Sequence, residues 1–302
     1  MITICQSFVG QFFQYAIIQV FIIGIIAFWP IWRNINTVGP ETFLIPNDYR
    51  GRVNIIYKKD CGSLLEKTEK AGDFGAKIVV WNEASFFTLP SNEKVIQNSI
   101  KAIAKNKNIS IVASYVIPIS ENPFKYENKF VFINRKGEIV YSYLKHQPVP
   151  GEPAIQGTKP FQTVQVSESR IGGAICYDYD FPYIAREFGK LKADIVAVPS
   201  SDWRGIDPLH TKMAAFRAIE QGHSIIRSTR FGLSAIISPY GEMISQSSSF
   251  DDNNKIMIAN IQAKGINTLY SMIGDLFIYL CFGFLIVFII VLTIRKPANN
   301  SV

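Results

Sequence analysis

The sequence predicts a layered α/β domain held between two apolar segments of membrane-spanning length. Short apolar runs alternate with amphipathic runs through the middle of the chain, the pattern of strands alternating with helices. Three of those apolar runs stop at a residue able to do chemistry: Trp81 leads to Asn82-Glu83, Tyr143 to Leu144-Lys145, and Ile175 to Cys176. Long apolar stretches stand near both ends.

From the N-terminus, Phe12 to Trp29 is interrupted only by Gln14 and Gln19 and closes at Pro30 and Arg33. It approaches the roughly 20 residues that cross a bilayer core. A cleaved signal peptide is disfavoured, because neither a basic leader nor a small-x-small cleavage site accompanies it. Residues 1–33 are expected to form this first span, 34–270 the layered domain, and 271–302 a second span with a short tail. Leu276–Ile294 carries no charge, with Asp275 before it and Arg295-Lys296 after it. Tyr15, Trp29, Trp32 and Tyr279 suit the interfaces, and the terminal basic pair suits a cytoplasmic C-terminus, which puts the domain on the extracytoplasmic side.

Within the domain, Val53–Tyr57 reads as a strand, Ser63–Ala71 as a helix and Ala76–Trp81 as a buried strand. Glu93–Lys105 is an amphipathic helix and Ile109–Ile117 a strand. Tyr126–Asn134 and Glu138–Tyr143 flank Arg135-Lys136-Gly137, a hairpin signal. Three prolines keep Lys145–Gly157 a loop. Ala193–Pro199, Ser224–Ser228, Gly232–Pro239 and Lys255–Ile261 complete the strands, and the helix Pro208–Gln221 stops at Gly222.

Composition narrows the function. The net charge of +7 comes without a basic block, so a nucleic-acid partner is not expected, while a membrane-proximal protein fits. Cys5, Cys61, Cys176 and Cys281 make no CxxC pair, and His146, His210 and His223 have no ligand spacing, so neither metal nor cofactor is expected. The segment Ile171-Gly172-Gly173-Ala174-Ile175-Cys176 is a strand ending in a thiol, and Pro182 opens the helix Tyr183–Phe188. The two glycines admit close approach of a backbone or ligand, and a helix N-terminus beside Cys176 would favour its thiolate. Taken singly, Cys176 also reads as a small core residue, Glu83 as a solvated carboxylate and Lys145 as a surface lysine. Together, Glu83 could take the thiol proton and Lys145 could face an oxyanion.

Three blocks resemble the carbon–nitrogen hydrolase (nitrilase) superfamily: Val79-Val80-Trp81-Asn82-Glu83, Tyr141-Ser142-Tyr143-Leu144-Lys145-His146, and Gly172 to Asp178 with Phe181-Pro182. The resemblance implies a four-layer α-β-β-α sandwich and a Glu83–Lys145–Cys176 triad. Ser201-Asp202-Trp203, His210, Arg217-Ala218-Ile219-Glu220, Arg227-Ser228-Thr229 and Gly232 look like the apolipoprotein N-acyltransferase branch, as do Asn267-Thr268-Leu269-Tyr270 and Gly274-Asp275. That branch implies a thioester on Cys176, an acyl chain taken from a phospholipid and given to the N-terminal amine of a lipoprotein, and a place in a bacterial inner membrane. Glu152 resembles a second glutamate supporting the lysine, although its spacing is one residue short. Asp178 resembles the acidic residue after the branch's Cys-Tyr, or caps the following turn. Tyr177 and Trp203 are candidate pocket residues, Trp203 with packing on the sandwich as its plainer role. His210 reads as a structural hydrogen-bonding group, and Arg217 and Glu220 as an ion pair. The branch carries several membrane helices before its catalytic domain, where this sequence has one: a short, divergent member, a part of a longer protein, or a chain completed by a helper membrane subunit are the readings this leaves open. Hydrolysis by a membrane-anchored amidase, or a scaffold without activity, are the competing readings.

Overall fold

The computed structural model describes residues 49–251 and 256–294, with side chains from Cys61 onward. The expected first span lies outside the described residues.

Two sheets are built in chain order. Helix α1 (Tyr49–Asp73) precedes β1 (Ile78–Val80), α2 (Pro90–Lys107), β2 (Ser110–Glu121), β3 (Phe124–Ile133) and β4 (Ile139–Leu144). The first sheet has the order β1-β2-β3-β4, parallel at β1/β2 and antiparallel afterwards. The second comprises β5 (Val164–Val166), β6 (Ser169–Gly173), β7 (Ile195–Ser201), β8 (Ser224–Arg230), β9 (Leu233–Ile237) and β10 (Met243–Ser248), in the order β10-β9-β8-β7-β6-β5. A 3₁₀ turn (Cys176–Asp180) and α3 (Pro182–Lys190) follow β6, and α4 (Leu209–Gln221) follows β7.

Period-two burial on β2 explains the layering. Ile111, Ala113, Tyr115 and Ile117 join Ile96, Ile100 and Ile103 of α2 in one core. Val112 points the other way, into a core shared with Phe130 and Tyr143, with Val196 and Val198 of β7, and with Ile184, Phe188 and Ala214 of α3 and α4. The layers are therefore helix, sheet, sheet, helix. Gly172 and Gly173 serve this packing. A Cβ added at Gly172 would lie 2.5 Å from the Phe188 ring, and one at Gly173 2.7 Å from the Phe130 ring. What approaches those glycines is the facing helix and the facing sheet, where the sequence suggested a backbone or ligand.

Two expected strands are absent. Val53–Tyr57 lies inside α1, because a short apolar run carries no period that separates strand from helix. Residues 256–261 of the expected last strand are not in a ladder, since β10 takes the edge beside β9. β10 went unpredicted because Ser245-Gln246-Ser247-Ser248 is polar, and β5 because it is three residues long. Helix α5 (Leu269–Ile273) leads into α6 (Leu276–Ile294), which is exposed throughout and is long and apolar enough to cross a membrane. Arg186 of α3 donates to Asp275 (2.6 Å) and to the Tyr270 hydroxyl (3.1 Å) at its root.

Candidate active site

The ends of β1, β4, β6 and β7 converge. After β1, Trp81 fixes the chain by donating its backbone N–H to Val112 O and its indole N–H to Thr68 Oγ1 (2.9 Å). Glu83 N then donates to Ser200 O (3.2 Å), tying the first sheet's loop to the end of β7. The Cys176 thiol donates to Ser201 O (3.5 Å), the next carbonyl along. Glu83 and Cys176 thus hang from adjacent residues of one strand.

Lys145 follows β4 and is buried. Its Nζ donates to Glu83 Oε1 (2.8 Å) and to Glu152 Oε2 (2.9 Å). Asn128 Nδ2, from β3, donates to Glu83 Oε1 (2.7 Å) and to Glu152 Oε1 (3.0 Å). Tyr126 OH (3.1 Å) and Val149 N (2.8 Å) also donate to Glu152. The loop spacing that looked one residue short therefore still delivers the second glutamate to the lysine. Gly157 lets the loop close: a Cβ there would sit 2.2 Å from Leu144 O.

Electrostatics follows from this packing. Burial works against the Lys145 charge, but Glu83, Glu152 and Cys176 outweigh it and hold the ammonium well above its usual range. Burial likewise opposes the Glu152 charge, and Lys145, the Val149 amide and Asn128 reverse it, lowering that carboxyl. Burial pushes the Cys176 thiol well above its ordinary value, and Glu83 adds to this against the pull of Lys145. Both effects work against a resting thiolate. This corrects the expectation of a thiolate favoured by a helix N-terminus: the turn is five residues of 3₁₀ helix in a dry site, and desolvation wins.

Cys176 has φ 48, a left-handed conformation that an L-residue with a side chain holds only under constraint. Asp178 supplies part of it. Its carboxylate accepts from Ile175 N (3.1 Å), Gln147 N (2.5 Å) and Tyr143 OH (2.7 Å), so it caps the turn and ties it to β4. Burial pushes Asp178 up to about 6 against those donors. Tyr177 packs edge-on against Phe181 with centroids 5.0 Å apart. Trp203 is 41% exposed, so it is only partly covered by its neighbours. Arg217 and Glu220 pair as expected, at 2.6 Å.

On the other side of Cys176 lies a second cluster. His210 bridges Asp202 Oδ1 through Nδ1 and Asp180 Oδ1 through Nε2, each at 2.7 Å. Arg227 donates to both Asp202 oxygens, at 2.9 and 3.0 Å. Ligand atoms of Cys176, Asp202 and His210 lie within 4.8 Å of one another. A metal there would have to displace hydrogen bonds that already occupy both ring nitrogens and both Asp202 oxygens. Asn128, Asp180 and the Arg227–Asp202 pair received no role from the sequence. For Asp202 the signal was present, since it too follows a strand end. A cavity of about 780 Å³ opens elsewhere, between Val79 and Asn82 on one side and Arg227 and Ile261 on the other. Glu83, Lys145 and Cys176 do not line it.

The carbon–nitrogen hydrolase family model matches residues 55–270, which hold both clusters. The chain belongs to the carbon–nitrogen hydrolase family. It is 31% identical over 216 residues to an apolipoprotein N-acyltransferase of Borreliella burgdorferi, covering 68% of this chain and 38% of that protein. The apolipoprotein N-acyltransferase of Pseudomonas aeruginosa is 27% identical over 198 residues, covering 57% of this chain and 38% of its own length. The chain thus spans under two-fifths of these relatives. Among solved structures, an amidase from Nesterenkonia, with an acetamide moiety covalently added at its active-site cysteine, superposes with a TM-score of 0.55 at 19% identity. It covers 63% of this chain and 80% of the amidase, and shows that this member of the family has a nitrilase-like α/β fold.

Proposed function

We propose that the protein is a membrane-anchored acyltransferase that carries an acyl chain as a thioester on Cys176. The observation that supports this reading is Glu83 beside Lys145, with Glu83 and Cys176 bound to consecutive carbonyls of β7. Cys176 gives its proton to Glu83, and the sulfur attacks the ester carbonyl of a phospholipid. Lys145 faces the oxygen that becomes negative, where a fixed cation is worth most. Collapse breaks the ester C–O bond, and the departing alcohol takes the proton back from Glu83. The free amine of a lipoprotein N-terminus then attacks the thioester and yields its proton to Glu83. Collapse breaks the C–S bond, the sulfur recovers a proton, and an amide is released. Two features favour transfer: the names of the relatives, and helix α6, which would hold the domain against the bilayer that supplies both substrates. On this reading Tyr177 and Trp203, which follow Cys176 and Asp202 in sequence, would meet the acyl chain. The catalytic domain would face the extracytoplasmic side of a bacterial inner membrane.

The same residues with water as acceptor would make an amide hydrolase. Incubation of the full chain with phospholipid and a diacylated lipopeptide, read by mass spectrometry, decides between them. The expected result is an acyl adduct on the Cys176 peptide and a triacylated product. Hydrolysis of small amides without acyl transfer would replace this reading with the hydrolase, and a fully active Cys176→Ala variant would remove both.

A further inference from the structure

The Asp180–His210–Asp202–Arg227 cluster, buried except at Asp180, is charged and lies beside the nucleophile, yet no step of the chemistry above uses it. Three facts give it a task. First, Cys176 sits at φ 48, a left-handed conformation that persists for a residue with a side chain only where the surroundings over-determine it. Second, the turn that carries Cys176 at its start carries Asp180 at its end, and Asp180 accepts from His210 Nε2 at 2.7 Å. Third, the other ring nitrogen of His210 reaches Asp202 Oδ1 at 2.7 Å, and Asp202 adjoins Ser201, whose carbonyl receives the thiol. Asp202 is itself immobilised by both terminal nitrogens of Arg227, and Arg227 is fixed further by Thr211 Oγ1 (2.8 Å) and Thr229 Oγ1 (2.7 Å).

We infer that His210 is a positioning residue for the nucleophile: by bridging Asp180 to Asp202 it holds the turn against the end of β7 and keeps the Cys176 thiol in its strained, reactive conformation. With both nitrogens committed to carboxylates, His210 cannot serve as the base, which leaves that role to Glu83. Asp178 clamps the same turn to β4, so the turn is fixed from both sheets. The inference rests on the reading of Cys176 as the nucleophile, but its test does not need an acyl donor.

The test is the rate at which iodoacetamide alkylates Cys176 in the folded full chain, followed peptide by peptide so that Cys5, Cys61 and Cys281 are counted apart. Removing His210 would strand Asp202 and Arg227 and endanger folding. Asp180, only partly buried, is the better point of attack, because Asp180→Ala leaves the Asp202–Arg227 pair whole. We expect Asp180→Ala to slow Cys176 alkylation by about tenfold or more, as loss of positioning does, with its melting temperature close to that of the unaltered protein. Asp180→Asn keeps an acceptor oxygen for Nε2 and is expected to retain most of the rate. In acyl transfer, kcat should fall with KM little changed. Alkylation of Asp180→Ala at the unaltered rate would overturn the inference, as would an Asp180→Asn variant as slow as Asp180→Ala. If the unaltered chain takes no acyl adduct while Asp180→Ala still alkylates slowly, the catalytic reading fails and the positioning role stands.

Discussion

Two buried charge clusters flank Cys176, and they differ in balance. On one side Lys145 faces two glutamates, Glu83 and Glu152, so carboxylates outnumber cations. On the other, His210 and Arg227 face Asp180 and Asp202, two against two once the imidazole is protonated. Burial disfavours that protonation, but the two carboxylates outweigh it and raise the His210 pKa, while His210 and Arg227 in turn lower Asp202 against its own burial. A cluster with a spare carboxylate can accept a proton and return it. A balanced cluster with every donor committed can only hold its neighbours still. On the proposed reading the contrast divides the work around the thiol: proton transfer on the Lys145 side, geometry on the His210 side.

The largest expected effect comes from removing the spare carboxylate. Glu83→Gln keeps an oxygen for Lys145 and Asn128 but cannot take a proton, and acyl-transfer kcat should fall by about 10²–10⁴. The same variant removes a negative charge that raises the Cys176 thiol, so the pH midpoint of its alkylation should move down. Turnover lost while the thiol becomes easier to ionise is the signature of a base; an unchanged midpoint would mean that Glu83 acts elsewhere. Next comes Lys145→Met. It leaves Glu83 and Glu152 facing each other without a cation, at a cost of about 3–5 kcal/mol in denaturant-unfolding experiments. Activity of the folded fraction should drop by about 10²–10³ with the oxyanion partner gone. Its stability deficit should shrink as pH falls and the stranded Glu152 carboxylate, no longer held down by Lys145, takes up a proton.

The balanced cluster predicts the reverse weighting. Asp202→Asn breaks the two-pronged contact with Arg227 and unpairs a buried cation, and should also cost about 3–5 kcal/mol. Its folded fraction should still form the acyl adduct, more slowly, because no proton route passes through Asp202. Complete loss of the adduct in folded protein would erase the distinction between the clusters.

How much of this was legible beforehand follows from the physics of each element. The strand ends carrying Glu83, Lys145 and Cys176 stood out because apolar runs stop abruptly at polar residues. The hairpin, the amphipathic α2 and the Gly222 stop were local signals of period and turn chemistry. Their convergence was not local: that Glu83 N and the Cys176 thiol bind consecutive carbonyls of β7 depends on two sheets meeting face to face, and no spacing in the chain encodes it. Asn128 was hidden for the same reason, as an ordinary polar position on β3. The upward push on the Cys176 thiol was missed because its burial belongs to tertiary packing. Val53–Tyr57 failed at the opposite scale, where five apolar residues are too few to show a period.

The smallest expected effect is also the one that tests the balance itself. An unfolded histidine titrates near about 6.5. In the folded chain the His210 value is raised, so between the two values the folded state binds the extra proton. The stabilisation is therefore complete below about 6.5 and is lost as pH rises through the folded value, with a slope of at most about 1.4 kcal/mol per pH unit for one group. Asp202 and Glu152, both lowered, act in the opposite sense, losing their contributions as pH falls through the folded carboxyl values, so an experiment kept above about pH 5.5 leaves them aside. Asp178, at about 6, titrates inside that window but does so in every variant that retains it, and cancels in a difference. Chemical denaturation of the unaltered chain and of His210→Gln, from pH 5.5 to 9, should give a stability difference that narrows toward alkaline pH. A constant difference would mean that the imidazole is uncharged in the fold. Both clusters would then carry a surplus carboxylate, and charge balance could no longer support the proposed division between proton transfer and positioning.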